Sequence, residues 1–216
     1  MPPPAGRARP RKTRAPKVTA VRAPRARLEV DERRAQLVRL GIELFAARAY
    51  DEVSIDELAR AAGVSKGLLY HYFPTKRDFY VATVSEASRQ LLELTETPAT
   101  MPPVERLRGS LEAYLDYVDA HAPAYAALMR GGVGSDPEVA RVVDETRATM
   151  CERLLRELPD VTPTPLIRTA VRGWLGFCEA TSLDWIERRT VTRSEIRDLM
   201  LEVLLATIPI AVRGSG

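Results

Sequence analysis

Apolar residues recur along this chain at helical spacing, and no stretch shows the sustained alternation of a strand. Between Asp31 and Arg48, the residues Ala35, Val38, Ile42 and Phe45 make one apolar face and predict a first helix. Tyr50-Asp51-Glu52 interrupts it. Ser54-Ile55-Asp56-Glu57 then reads as a capping box, in which the Ser54 hydroxyl accepts from a free backbone N–H and Glu57 reaches back. Ile55, Leu58, Ala59 and Ala62 supply the stripe of a short second helix, and Gly63 stands where a left-handed turn residue is wanted. Ser65 caps a third helix through Phe73, Pro74 ends it, and Thr75 caps a long fourth helix to about Glu96.

Thr97-Pro98 and Met101-Pro102-Pro103 break the pattern again. Further helices are predicted over about 104–120, 122–131, 136–158, 165–189 and 193–212. Asp136-Pro137 and Thr164-Pro165 each set a cap before a proline at the first helical position, and Thr192 to Glu195 is another capping box. The expected fold class is all-α: an N-terminal three-helix helix-turn-helix unit over 28–74, then a larger helical body over 75–212.

The segment from Ser54 to Phe73 reads SIDELARAAGVSKGLLYHYF. Two short helices joined by a tight turn at Gly63 make a helix-turn-helix. Ala59 and Gly63 are small where the two helices approach, while Val64 and Leu69 face the first of them. Lys66, Gly67, Leu68, Tyr70, His71 and Tyr72 are left on or near the outside. That set suits the edge of a duplex better than solvent, because the first turn of such a helix enters the major groove.

Residues 33–81 resemble the DNA-binding domain of the tetracycline-repressor (TetR) family. The residues that carry the likeness are Tyr50, Ser54, Leu58-Ala59, Ala62-Gly63-Val64-Ser65, Gly67, Leu69-Tyr70, Tyr72-Phe73 and Lys76. They cover about a quarter of the chain. Ala49 departs from the family's usual glycine, and Tyr72 stands where histidine is common. The resemblance implies that Ser54 and Thr75 lie at helix N-termini, where hydroxyl and N–H groups hold phosphates, and that Ser65 also belongs to the DNA-binding set. It makes Lys76 and Tyr72 phosphate contacts. It turns Lys66, Gly67, Leu68, Tyr70 and His71 toward the bases, with Leu68 against a thymine methyl. Core packing beneath the fourth helix is the competing role for Tyr70 and Tyr72.

The body resembles the family in architecture. The resemblance implies a homodimer whose last two long helices pair with their symmetry mates, and the broad apolar arc of the final helix agrees. Trp174, Trp185, Leu199, Val203 and Ile210 are the expected dimer residues. A small-molecule effector site is expected between residues 75 and 189. Its candidate lining is Tyr114, Tyr117, Tyr125, Met129, Met150, Trp174, Phe177 and Cys178, with plain core as the alternative for most of them.

Charge changes one part of the picture. The 216-residue chain has a formal net charge of +3. Nine of its 32 basic residues fall within 1–27, which hold no Asp or Glu and six prolines. The remainder therefore carries 23 basic against 29 acidic residues, a net of −6. Residues 1–27 read as a disordered basic arm, either a solvated tail or one that follows DNA phosphates. No secretory signal or membrane span is legible, so the expected location is cytoplasmic.

His71 and His121 are the only histidines, and Cys151 and Cys178 fit no metal-ligand spacing, so neither metal nor cofactor is expected. The two cysteines are read as buried thiols in preference to a redox pair. With no nucleophile–base pair legible, the chain is not expected to be an enzyme. The expected activity is sequence-specific DNA binding as a dimer on a palindromic operator, released by a small molecule. The alternatives are a ligand-independent regulator and an architectural DNA-binding protein.

Overall fold

A computed structural model describes residues 24–48, 50–132, 136–158 and 161–214. The expected arm lies outside these residues as far as position 23. Its last four positions do not: helix α1 runs Pro24–Ala47, seven residues earlier than the apolar pattern suggested. The physical reason is available in the sequence, since a proline fits the first helical position, where its missing N–H costs nothing.

After α1, a single 3₁₀ turn at Tyr50–Glu52 leads into α2 (Ile55–Ala61) and α3 (Lys66–Tyr72). The Ser54 Oγ accepts from the Glu57 N–H, and the Glu57 carboxylate accepts from the Ser54 N–H, which closes the expected box. Gly63 has φ +62, and an added Cβ there would meet nothing within 4 Å. The glycine is thus required by backbone conformation and not by crowding. Leu58, Leu69, Phe73 and Phe79 close the core of this head beneath α1.

Helix α4 (Lys76–Leu94) belongs to both halves of the molecule. Thr75 and Asp78 form a capping box at its start, and Phe79 packs into the head core. Gly41 of α1 faces it so closely that an added Cβ would lie 2.6 Å from Thr83 Oγ1 and 2.8 Å from the Phe79 ring. The two helices meet here only because position 41 has no side chain.

The body continues with α5 (Pro103–Ala120), α6 (Ala122–Ala127), α7 (Pro137–Glu157), α8 (Pro165–Arg188) and α9 (Arg193–Arg213). Asp136, Thr164 and Thr192 cap α7, α8 and α9 as the sequence suggests. Helix α6 is shorter than expected, because Leu128–Gly132 turns as a π segment. Helix α8 ends on Arg189 in the left-handed region, φ 51, with its guanidinium over the Trp185 ring.

One part of the expected dimer set is corrected. Trp174 and Trp185 are each only 5% exposed and sit in the body's own core. Their indole N–H groups donate within the chain, to Met200 O at 2.8 Å and Val191 O at 3.1 Å. A buried indole needs such a partner, and here α9 and the α8–α9 turn supply it. Val203 is half-buried against the same core. Leu199 and Ile210 remain exposed, at 50% and 61%.

Candidate functional site

The outer face of α3 presents Lys66, Gly67, Leu68, Tyr70 and His71 to solvent. Leu68 and Tyr70 are unusually open for large apolar side chains, 38% and 41% exposed. An added Cβ at Gly67 would approach only Ser65 Oγ, at 4.0 Å, so the glycine leaves the first turn of α3 open to a partner. Tyr72 differs from Tyr70: it is half-buried and packs on the head core, its ring edge-on to His71 at 5.5 Å. The packing alternative weighed for these two tyrosines therefore describes Tyr72.

The helix starts are more occupied than the sequence implies. Ser65 Oγ accepts from the Leu68 N–H at 3.1 Å. The Thr75 hydroxyl donates to Asp78 Oδ2 at 2.8 Å, so its proton is committed to the cap. At Ser54 the Oγ accepts from the Glu57 N–H and the backbone N–H donates to the Glu57 carboxylate. Arg48 and the hydrogen bonds from Ser54 hold the Glu57 carboxyl down to about 2, so it is an anion beside that hydroxyl. Lys66 Nζ lies 3.0 Å from Asp56 Oδ1. Both partners are half-exposed or more, so solvent screens the pair and the tether is weak. Lys76 Nζ stands 4.1 Å above the Tyr50 ring, a seat that restrains the ammonium without neutralising it. Arg77, next along, ties the head to α7 through Asp136 at 2.6 Å and Glu138 at 2.9 Å.

Behind the head, α4, α5, α7 and α8 enclose a cavity of about 690 Å³. Seven of the eight expected lining residues face it: Tyr114, Tyr117, Tyr125, Met129, Met150, Trp174 and Cys178. Phe177 does not, and packs half-buried on the other side of the α8 helix against the core. One helical step separates it from Cys178, and a step of about 100° carries a side chain from one face to another.

The polar groups of the cavity are largely paired. Tyr114 and Tyr125 share a hydrogen bond of 2.7 Å, and the Ser182 hydroxyl donates to Tyr114 at 3.2 Å. Burial pushes both phenols, and the Cys178 thiol, well above their ordinary range, so all three stay protonated. Tyr117, donating to Ala87 O, is pushed up to about 12 by the same cause. Arg147 and Glu179 meet through two bonds of 2.8 Å. Cys151 and Cys178 are both free thiols. Among the described residues, no three His, Cys, Asp or Glu side chains group as a metal would require, and no helix is long and apolar enough to cross a membrane.

Sequence reasoning missed the five arginines that line this space, Arg48, Arg106, Arg147, Arg153 and Arg156, and the wall lent by Phe45, Tyr50 and Tyr80. A signal for the first group exists: Arg106 stands four and eight positions before the lining residues Ser110 and Tyr114 on α5, and Arg153 three positions after Met150 on α7.

A three-helix head offering the second helix of a helix-turn-helix, set on a helical body with an internal cavity, defines a class of regulatory proteins. Residues 37–83 match the model of bacterial regulatory proteins of the tetR family, and residues 103–207 match the tetracyclin repressor-like C-terminal domain. A TetR-family transcriptional regulator from Streptomyces coelicolor is 36% identical, covering 84% of this chain and 82% of that one, with a TM-score of 0.78. This chain belongs to the TetR family. The transcriptional activator FasR of Mycolicibacterium smegmatis is 33% identical over 119 residues, 54% of each chain, so this chain spans about half of that relative's length. The transcriptional repressor KstR of Rhodococcus jostii is 25% identical over 81% of this chain and 82% of its own.

Proposed function

We propose that this TetR-family regulator grips a palindromic operator as a homodimer and lets go when a small molecule fills the body cavity. The observation that carries the reading is the course of α4. It starts at Thr75 beside the exposed face of α3, packs Phe79 into the head, and lines the cavity from Tyr80 to Leu91. A guest that favours a different tilt of α4 shifts the head with it, which is how differential binding becomes release. Coupling of about 1–3 kcal/mol loosens DNA several-fold to a hundredfold.

The exposed Leu199 and Ile210 on α9 support the dimer, since an apolar face this open is normally covered. Acting on operator DNA puts the protein in the cytoplasm. Relatives named as an activator and as a repressor both align with the chain, and the release model favours repression.

Footprinting with a salt titration tests the reading. A defined palindrome with half-sites spaced by whole helical turns is expected. Lys76→Ala should weaken binding to all sequences and reduce the salt slope by about 1, while Leu68→Ala should change base preference. Sequence-independent coating of DNA would instead indicate an architectural protein.

A further inference from the structure

The cavity is long, narrow and differently charged at its two ends. Its lining follows one continuous stripe of α4 from Tyr80 to Thr95, and one of α5 from Arg106 to His121. Fifteen residues of helix rise about 22 Å, so about 690 Å³ spread over that length averages roughly 30 Å² in cross-section. This shape suits one unbranched chain.

The inner end is apolar and aromatic. Phe45, Tyr50, Tyr80 and Val84 wall it, with Phe45 and Tyr80 edge-on at 5.0 Å. The outer end is charged, with three arginines against two carboxylates, Glu96 and Glu157. Arg106, Arg153 and Arg156 line it beside the segment Thr95–Ala99, whose Glu96, Pro98 and Ala99 are exposed.

The pairing of the arginines decides where a guest's charge goes. Arg48, at the inner end, is taken by Glu57 at 2.9 Å. Arg147, midway, is neutralised by Glu179. At the outer end Arg153 donates to Leu92 O and Arg156 to Glu152 O, both backbone carbonyls, and among the described residues neither meets a carboxylate. Arg106 holds Glu157 at 2.6 Å through one terminal nitrogen, and its Nε is buried with no hydrogen-bond partner. A buried N–H left unmet beside two uncompensated guanidiniums is a site built for an anion.

We infer that the cavity takes a single-chain amphiphile: an anionic head at Arg106, Arg153 and Arg156, and an aliphatic tail reaching Phe45, Tyr50 and Tyr80. This rests on the ligand-released reading above and names the class of effector. At roughly 1.25 Å per methylene, the rise of a zigzag of 1.5 Å bonds, the cavity accepts about 16 carbons. The tail then ends against Tyr50, which also seats the Lys76 ammonium 4.1 Å above its ring. A chain long enough to move Tyr50 disturbs a phosphate-facing lysine directly, and a short one does not. Chain length thereby sets the response.

Calorimetry on the full chain, with operator affinity measured in parallel, tests this with four probes: hexadecanoate, its coenzyme A thioester, hexadecan-1-ol and hexanoate. Hexadecanoate or its thioester should bind at least tenfold tighter than the alcohol and than hexanoate. Whichever of the two anions binds better identifies whether the head is a free carboxylate or a thioester with its phosphates. Arg153→Gln, and separately the exposed Arg156→Gln, should shrink the ratio of acid to alcohol affinity several-fold to tenfold, with the helical circular dichroism of the parent. Only the long anions should lower operator affinity. Equal affinity for acid and alcohol, no dependence on length, or no binding of any probe by protein that still protects its operator would overturn the inference and leave the DNA-binding reading standing. Failure of the unliganded protein to find an operator would count against that reading instead.

Discussion

In the head, Leu58, Leu69, Phe73 and Phe79 are almost wholly buried against one another, and the Phe73 and Phe79 rings meet at 4.9 Å with no room between them. In the body, α4, α5, α7 and α8 surround about 690 Å³ that no side chain fills. The same kind of apolar stripe produces both. The difference lies in what each must do. A face that reads another molecule has to be held in one geometry, and close packing does that. A site that admits a guest needs volume left open, and that volume forgoes the dispersion contacts a filled core would make.

Changing size in opposite directions tests the contrast. The largest effect is expected from Phe79→Ala, which empties the joint of the head: about 3–5 kcal/mol of stability lost in urea unfolding. Operator binding should go with it. A loss below about 1 kcal/mol would mean the head is not the tightly filled unit described. Gly41→Ala adds one methyl where Thr83 Oγ1 and Phe79 stand within 3 Å, and should cost about 1–3 kcal/mol by overpacking.

The opposite sign is expected in the body. Ala87→Leu points new side chain into the cavity and should raise stability by about 0.5–2 kcal/mol while removing effector binding. Thermal unfolding decides it, and a melting temperature lowered as much as by Gly41→Ala would erase the distinction between head and body. Least visible is the acid response of the head. Glu57 is held from 4.5 down to about 2, chiefly by Arg48. A depressed carboxyl stabilises fully above its unfolded value, and that contribution fades as pH falls from about 4.5 through about 2. Glu57→Gln should therefore lose less stability than the parent between about pH 5 and about pH 3. An identical loss in both would place the acid sensitivity elsewhere.

Most of the head was legible in the sequence because its signals are local. Ser54 and Glu57 lie three residues apart and close a box wherever a helix begins. Gly63 marks a left-handed residue whatever surrounds it. Caps at Asp136, Thr164 and Thr192 placed the starts of α7, α8 and α9 for the same reason. An apolar side chain at helical spacing says that it is buried, and it does not say in what. Trp174 and Trp185 had the pattern of an interface and belong to the chain's own core, because the carbonyls that take their N–H groups come from elsewhere in the fold. Phe177 and Cys178 are neighbours in sequence and divide between core and cavity.

By itself the sequence determined the helices, their capped ends, the turn at Gly63 and the residues on the outer face of α3, since each depends on contacts within a few positions. The tertiary structure decided what those residues have left to give. It seated Lys76 on Tyr50, 26 positions away. It neutralised Arg147 with Glu179, 32 positions away, and turned Arg153 to the Leu92 carbonyl, with no carboxylate for it among the described residues. Whether a charge is spent or available depends on which distant group the fold brings within about 4 Å, and spacing along a chain carries no record of that.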